Sequence, residues 1–215
     1  MSKDAAVHTI YRLADGTRVP SVTTYLGILN KPAIVQWAWE LGTQGLDYRK
    51  VRDQSGDTGT LVHYMILCAL NHTEPDLEDY TQNEITTTTI PIGKFNKWHK
   101  EHEVCPILLE KPMVSEKYRY GGTFDFYGTI DGILTLLDFK TSGAVYPENF
   151  YQLAAYEQLL IENEYDAPDK VAVLRVSKSI DEGLEYREIG KLDVSWKIFL
   201  ACQQVYELQK EARRK

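Results

Sequence analysis

Cysteine is scarce: Cys68, Cys105 and Cys202 are the only three in 215 residues, and they are widely spaced. They form neither a complete disulfide framework nor a CxxC metal knuckle, so buried or free thiols in a reducing cytoplasm are expected. Nothing approaches the roughly 18 consecutive apolar residues of a membrane span. The opening Met1-Ser2-Lys3-Asp4-Ala5-Ala6-Val7-His8 has no apolar signal core, so no secretory leader is expected. No G-x-x-x-x-G-K-[ST] segment occurs, so a P-loop nucleotide site is not expected. Internal repeats and long linkers are also missing, and 215 residues suit one domain, or one domain with a lobe. Positive charge is not in excess: 31 Asp and Glu against 24 Lys and Arg leave a formal charge of −7. That argues against a protein held on nucleic acid by bulk charge, but not against one that grips a few phosphates locally.

What is present, at 43% hydrophobic and 26% charged residues, is ordinary for a globular protein. Acidic residues gather in 74–84, which reads as a solvated loop. Basic ones gather around Lys94, Lys97 and Lys100, around Lys111, Lys117 and Arg119, and in Arg213-Arg214-Lys215. Each basic group is more commonly a wet surface than a phosphate track.

The first half reads as mainly helical. A small hairpin spans His8–Leu13 and Arg18–Pro20 around Asp15-Gly16. Ser21 caps a helix over Val22–Leu29, and a second helix covers Ala33–Leu41 and ends at Gly42. Residues 43–57 read as loop, 59–70 as helix, Thr86–Thr89 as β-prone or irregular, and Gly93–Val104 as helix. The second half changes character. Strands are expected over Ile107–Ser115 (at an edge or bulged, because of Pro112), Thr123–Ile130, Ile133–Lys140, Lys170–Ser177 and Gly183–Ile189. Helices are expected over Glu148–Asn163 and Val194–Arg213, with Trp196, Phe199, Leu200 and Leu208 in the core.

Residues 121–140 are the most informative stretch. Two β-like runs flank Asp131-Gly132, a dipeptide that favours a type I′ hairpin turn. With those two residues as the loop, Ile130 faces Ile133, and Asp125 therefore faces Asp138. Facing residues share a side of the sheet with Cβ atoms about 4.5–5.5 Å apart, and Lys140, two residues on, shares that side. Opposed like charges destabilise a sheet unless something offsets them, so this geometry suggests a carboxylate metal site.

Three further features are candidates. His63 stands in Gly59-Thr60-Leu61-Val62-His63, although a lone helical histidine is more commonly structural. Glu110 follows the apolar Ile107, Leu108 and Leu109, where a carboxylate is costly unless paired or metal-bound, though exposure at a strand edge is an equal alternative. Glu116 lies in a charged, turn-like stretch and ranks lower. Gln152 and Tyr156 share one helix face at i, i+4 spacing, though tyrosine among apolar neighbours is more commonly core.

In chain order the sequence offers GTLVH at 59–63, Glu110, GGTFD at 121–125, DFK at 138–140 and QLAAY at 152–156. This closely resembles the PD-(D/E)xK nuclease superfamily, in particular its RecB-type and phage exonuclease branch, over roughly residues 20–160. Val19-Pro20-Ser21-Val22-Thr23-Thr24-Tyr25-Leu26 and Lys31-Pro32-Ala33 are similar to phage and prophage members. The resemblance implies an α/β, restriction-endonuclease-like core: a mixed β-sheet flanked by helices, with an N-terminal helical lobe over the site. The whole of 1–215 would be a single nuclease domain, with 1–104 the mainly helical lobe and 105–215 the catalytic core. It implies that Asp125, Asp138 and the Phe139 carbonyl hold Mg²⁺ or Mn²⁺. His63 would be a further ligand that tilts the preference toward Mn²⁺, and Glu110 would bind a second metal or its water. Lys140 would orient the attacking water, Gln152 and Tyr156 would steady the metal shell or the DNA end, and Lys117 and Arg119 would touch phosphates. Three unclustered cysteines depart from relatives with a four-cysteine iron–sulfur cluster, so no cluster is expected.

The function so implied is metal-dependent exonuclease action on DNA ends in phage or prophage recombination or repair. Its setting would be the cytoplasm, that of a bacterial host for a phage-encoded chain, with a recombinase, annealing protein or helicase as partner. A structure-specific or flap endonuclease with the same site is one alternative. A non-catalytic DNA-binding or interaction module on this fold is another, mildly favoured by the net charge but disfavoured by facing carboxylates.

Overall fold

The computed structural model of the protein describes residues 9–213, so His8 of the expected N-terminal hairpin and Arg214-Lys215 of the basic tail lie outside it. Asp131 and Gly132 take φ of 51° and 77°, the paired left-handed conformations of a type I′ turn. They join β4 (Tyr120–Ile130) to β5 (Ile133–Lys140) in the register expected from the turn, running from Ile130 opposite Ile133 to Phe126 opposite Leu137. Around this hairpin, β3 (Val104–Ser115), β6 (Lys170–Val176) and β7 (Leu184–Ile189) complete a sheet of order β3-β4-β5-β6-β7. Only β5 and β6 are parallel, joined through α5 (Pro147–Glu162), so the sheet is mixed. β3 is an edge strand, which accommodates Pro112; its irregularity falls at Pro106/Leu108 instead.

Both faces of the sheet are covered. One packs Phe124, Tyr127, Leu136 and Val173 against α1 (Val22–Leu26), α5 and α6 (Asp193–Ala212). The other packs Phe126, Leu137, Phe139 and Leu174 against α3 (Tyr48–Leu70) and α4 (Gln82–Glu101). Successive β5 residues Leu136 and Leu137 serve opposite layers, as a central strand requires. This is the α/β architecture implied by the sequence, with N-terminal helices ahead of a mixed sheet flanked by helices. The described segment from Thr9 also includes a minimal hairpin, β1 (Tyr11–Arg12) with β2 (Arg18–Val19), and α2 (Pro32–Thr43), which buries no residue.

Several boundaries differ from the sequence reading. Helix α1 stops at Leu26, three residues short of Leu29, and α2 runs through Gly42 to Thr43. Helix α3 begins at Tyr48, capped by Asp47, and runs through Gly56 and Gly59, so much of 43–57 is helix and not loop. Residues Thr86–Thr89 are helical, and α4 starts at Gln82 behind a Thr81–Glu84 capping box. The threonine hydroxyls there bond to carbonyls of the preceding turn: Thr86 to Gln82, Thr87 to Glu84, Thr88 to Ile85. That satisfies them without breaking the helix. Helix α4 also ends at Glu101, before Val104. In α6, Phe199 is buried and Trp196 and Leu200 pack against the core, but Leu208 is exposed.

Candidate active site

Asp125 sits where β4 leaves both neighbours. Its pairing with β5 ends at Phe126, and the β3–β4 ladder lapses between Leu109–Phe126 and Lys111–Phe124, at Glu110 and Asp125. Glu110 takes a left-handed φ of 42° there, an irregularity of the kind that re-aims side chains beside active sites. One further step of the β4–β5 register places Asp125 opposite Asp138. Asp125 Oδ2 accepts the Phe139 N–H at 2.7 Å, which bridges the gap where strand pairing stops.

Three motif glycines have a steric explanation. A Cβ at Gly122 would lie 2.6 Å from the Tyr156 ring, and one at Gly121 would lie 2.1 Å from the Tyr11 ring. A Cβ at Gly59 would approach Thr141 Oγ1 at 3.1 Å, so α3 passes close behind the end of β5. That approach brings His63 to the cluster, with Nδ1 3.6 Å from Asp125 Oδ1. On the other side, Lys140 Nζ lies 2.5 Å from Asp138 Oδ2 and 3.4 Å from Gln152 Oε1. Gln152 Nε2 donates to the Tyr156 hydroxyl at 2.7 Å. The i, i+4 pair on α5 therefore forms a relay that holds the lysine.

Burial and charge work against each other here. Burial pushes the Asp138 carboxyl up to about 6, Lys140 opposes it and Asp125 adds to it. Burial also acts to raise Asp125, but His63, Lys140 and the Phe139 N–H outweigh it and hold that carboxyl below its usual range. Burial opposes the charged forms of His63 and Lys140, yet the aspartates win and raise both. Glu110 is raised by burial and then by Asp125. The Tyr156 hydroxyl is raised by burial first and by Asp138 second, so it stays a neutral hydrogen-bonding group.

Asp138 is 2% exposed, and although its Oδ2 is ion-paired with Lys140 it has no hydrogen bond of acceptable geometry. A buried acceptor without a directed donor is what a cation site leaves behind. Two carboxylates, a neighbouring main-chain carbonyl and an imidazole form a donor set suited to Mn²⁺ or Mg²⁺. His63, Glu110, Asp125 and Phe139 line a cavity of about 10 Å³, near the minimum that holds one water. Among the described residues no three acid, imidazole or thiol side chains are gathered tightly enough to form a ready metal site, so binding would require the donors to draw together.

Other residues singled out in the sequence lie elsewhere. Glu116 Oε1 accepts the Ala14 N–H and so ties the N-terminal hairpin to the β3–β4 turn. Lys117 donates its N–H to Glu162 and stacks on Tyr118; Arg119, with φ 58°, closes that turn. These contacts belong to the turn and not to the carboxylate cluster. The sequence reading missed Arg175, which stands beside Lys140 in the β5–β6 register and donates to the Ser142 and Gly143 carbonyls at 3.3 and 3.2 Å. It also missed Tyr11, whose hydroxyl bonds Thr123 Oγ1 at 2.8 Å. A basic residue inside the apolar run 171–176 was the available signal for Arg175.

No protein-family model and no curated protein matches this sequence. Solved structures do. The "Putative exonuclease" from Eubacterium rectale is similar over 67% of this chain, at 13% identity and a TM-score of 0.45; the match spans 62% of that protein's length. SSO0001 is similar over 87% of this chain and 82% of its own, at 15% identity and a TM-score of 0.36. Both likenesses are remote, and the functional reading rests on the geometry of the site. Among the described residues no helix is long and apolar enough to cross a membrane.

Proposed function

We propose that this protein is a metal-dependent nuclease that hydrolyses phosphodiester bonds as an exonuclease at DNA ends. The observation that carries the reading is the meeting of Asp125 and Asp138 on adjacent strands, with Lys140 ion-paired to Asp138 and a buried oxygen of that carboxylate lacking a directed donor. Asp125, Asp138 and the Phe139 carbonyl would hold the ion, with His63 as a further ligand and Glu110 holding a second ion or its water. A bound Mg²⁺ or Mn²⁺ supplies neutralisation of phosphate charge and a nucleophilic water near neutral pH.

The chain's own groups do the rest. Lys140, kept charged by two aspartates, orients the attacking water and places an ammonium where the phosphate gains charge. Gln152 and Tyr156 fix its direction through their relay. The site is only partly open to water, with Asp138 buried and the His63, Asp125 and Lys140 side chains partly exposed, which strengthens the charge interactions inside it. On this reading the described residues act as a single nuclease domain whose partner is DNA.

The test is digestion of linear and closed-circular DNA, single- and double-stranded, with Mg²⁺, Mn²⁺ or EDTA, beside Lys140→Ala. Metal-dependent loss of linear DNA alone, abolished in the variant, is expected. Cutting of circles would make the enzyme an endonuclease with the same site. Absence of cleavage in every metal by folded protein would overturn the reading in favour of a binding module.

A further inference from the structure

Helix α6 carries two apolar stripes, and the body of the protein covers one of them. Ser195, Phe199 and Cys202 are buried, and Tyr206 packs beside them. Val194, Ile198, Ala201, Val205, Leu208 and Ala212 form the second stripe, at alternating steps of four and three residues. At about 100° per residue, its centre lies about 120° around the helix from the first. Val194 is 68% exposed, Leu208 57% and Val205 43%. Ala201 and Ala212 are exposed as well, and Ile198 is half-buried against the core. Apolar residues scattered singly over a surface need no explanation. Six in line at heptad spacing, over about 27 Å of helix, make a seam for another helix.

The stripe complements itself when two copies run antiparallel. Setting Ala201 against Val205 of a second copy also sets Ile198 against Leu208 and Val194 against Ala212, and the twofold axis repeats all three layers. Each alanine then meets a valine. A parallel pair would instead stack alanine on alanine at 201 and again at 212, leaving gaps in the seam. Lys197, Gln204 and Glu211 flank the stripe on its outer side, at the heptad positions that set partner and orientation. In the antiparallel register Lys197 of each copy lies beside Glu211 of the other, and the two Gln204 amides meet at the axis. Lys210 is paired with Glu207 within the chain, whereas Lys197 and Glu211 have no ion pair among the described residues. Charge complementarity and layer packing thus select the same arrangement. We infer that α6 joins two copies of this chain, antiparallel, along this stripe. The inference does not depend on the nuclease reading.

The experiment is sedimentation of the full chain over about 1–200 μM. A seam one helix long is at the small end of specific interfaces, so a monomer–dimer equilibrium with a midpoint on the order of tens of micromolar is expected. Val205→Glu puts a charge into a central layer and should keep the protein monomeric throughout. Its circular dichroism spectrum should not change, because Val205 is exposed in the single chain. Lys197→Glu and Glu211→Lys should each weaken self-association by about threefold to thirtyfold. An equimolar mixture of the two should regain the wild-type midpoint, because each copy supplies the charges the other lacks. A monomer at every concentration overturns the inference and leaves the stripe to a helix of some other protein. A dimer that survives Val205→Glu, or a mixture no tighter than either charge variant alone, also overturns it. None of these residues belongs to the carboxylate cluster, so DNA cleavage tests the nuclease reading separately.

Discussion

Two charge clusters lie side by side in this sheet, each around one buried residue, and they are finished differently. Around Arg175 on β6, two of the guanidinium nitrogens are well supplied: Nε donates to Glu185 at 2.9 Å, Nη1 to Glu182 at 2.7 Å and to the carbonyls of Ser142 and Gly143. Ser177 adds a hydroxyl to Glu182. One strand away, Asp138 is more deeply buried, yet one of its oxygens lacks a directed donor, and its carboxyl is pushed up to about 6 mainly by burial. Satisfied buried charges brace a fold; an incompletely satisfied one is held at a cost and marks a place for a ligand. The two are mechanically joined, because Arg175 grips the loop that follows Lys140, and Arg187 adds a bond to Val145 in the same loop.

The contrast is broken most severely at Lys140. Lys140→Ala should lower the cleavage rate by about 10²–10⁴-fold while far-ultraviolet circular dichroism stays unchanged, because an unpaired Asp138 takes up a proton. Arg175→Ala should act on the fold first, lowering the midpoint of urea denaturation through the Ser142 and Gly143 carbonyls it leaves without their donor. A loss of activity without that loss of stability would show that the two clusters are not distinct in kind.

Metal linkage sharpens the comparison further. The folded value of Asp138 lies above its ordinary one, so proton binding there supports the fold below about 4, and that support is lost as pH rises through about 6. A divalent ion competes with this proton. The rise in Tm produced by Mn²⁺ should therefore be small at pH 5 and full by about pH 7.5; a shift independent of pH would place the metal away from Asp138. The smallest effect is expected from Tyr156→Phe, which removes the acceptor of Gln152 and loosens Lys140. It should slow turnover by about tenfold and cost under about 1.5 kcal/mol of stability.

Legibility followed the range of the physical signal. The β4–β5 register was readable because the chemistry of a two-residue turn is local and side-chain alternation carries it outward. Gln152 and Tyr156 were readable as one helix face for a similar reason. The start of α3 was hidden because Gly56 and Gly59 look like breakers, whereas Gly59 is small to let Thr141 approach. The threonine run in α4 misled because its hydroxyls find partners in the helix itself. Glu110 and Glu116 were inseparable by composition; only the β3–β4 register, which no local pattern announces, sets Glu110 opposite Asp125 and leaves Glu116 in the turn, bonded to Ala14. Arg175 was missed because its partners come from a loop and from the neighbouring strand.

The Asp131-Gly132 turn also sets a limit on how this chain can change. It works as a gauge block: its length alone decides which β4 residue meets Asp138, although it sits at the opposite end of the hairpin. One inserted residue would be felt along the whole ladder, exchanging the inward and outward faces of a strand whose two sides serve different layers. A tag or graft placed at this exposed tip would thus disarm the protein from a distance. The same insertion in 71–81, between α3 and α4, would leave the spacing of the carboxylates untouched.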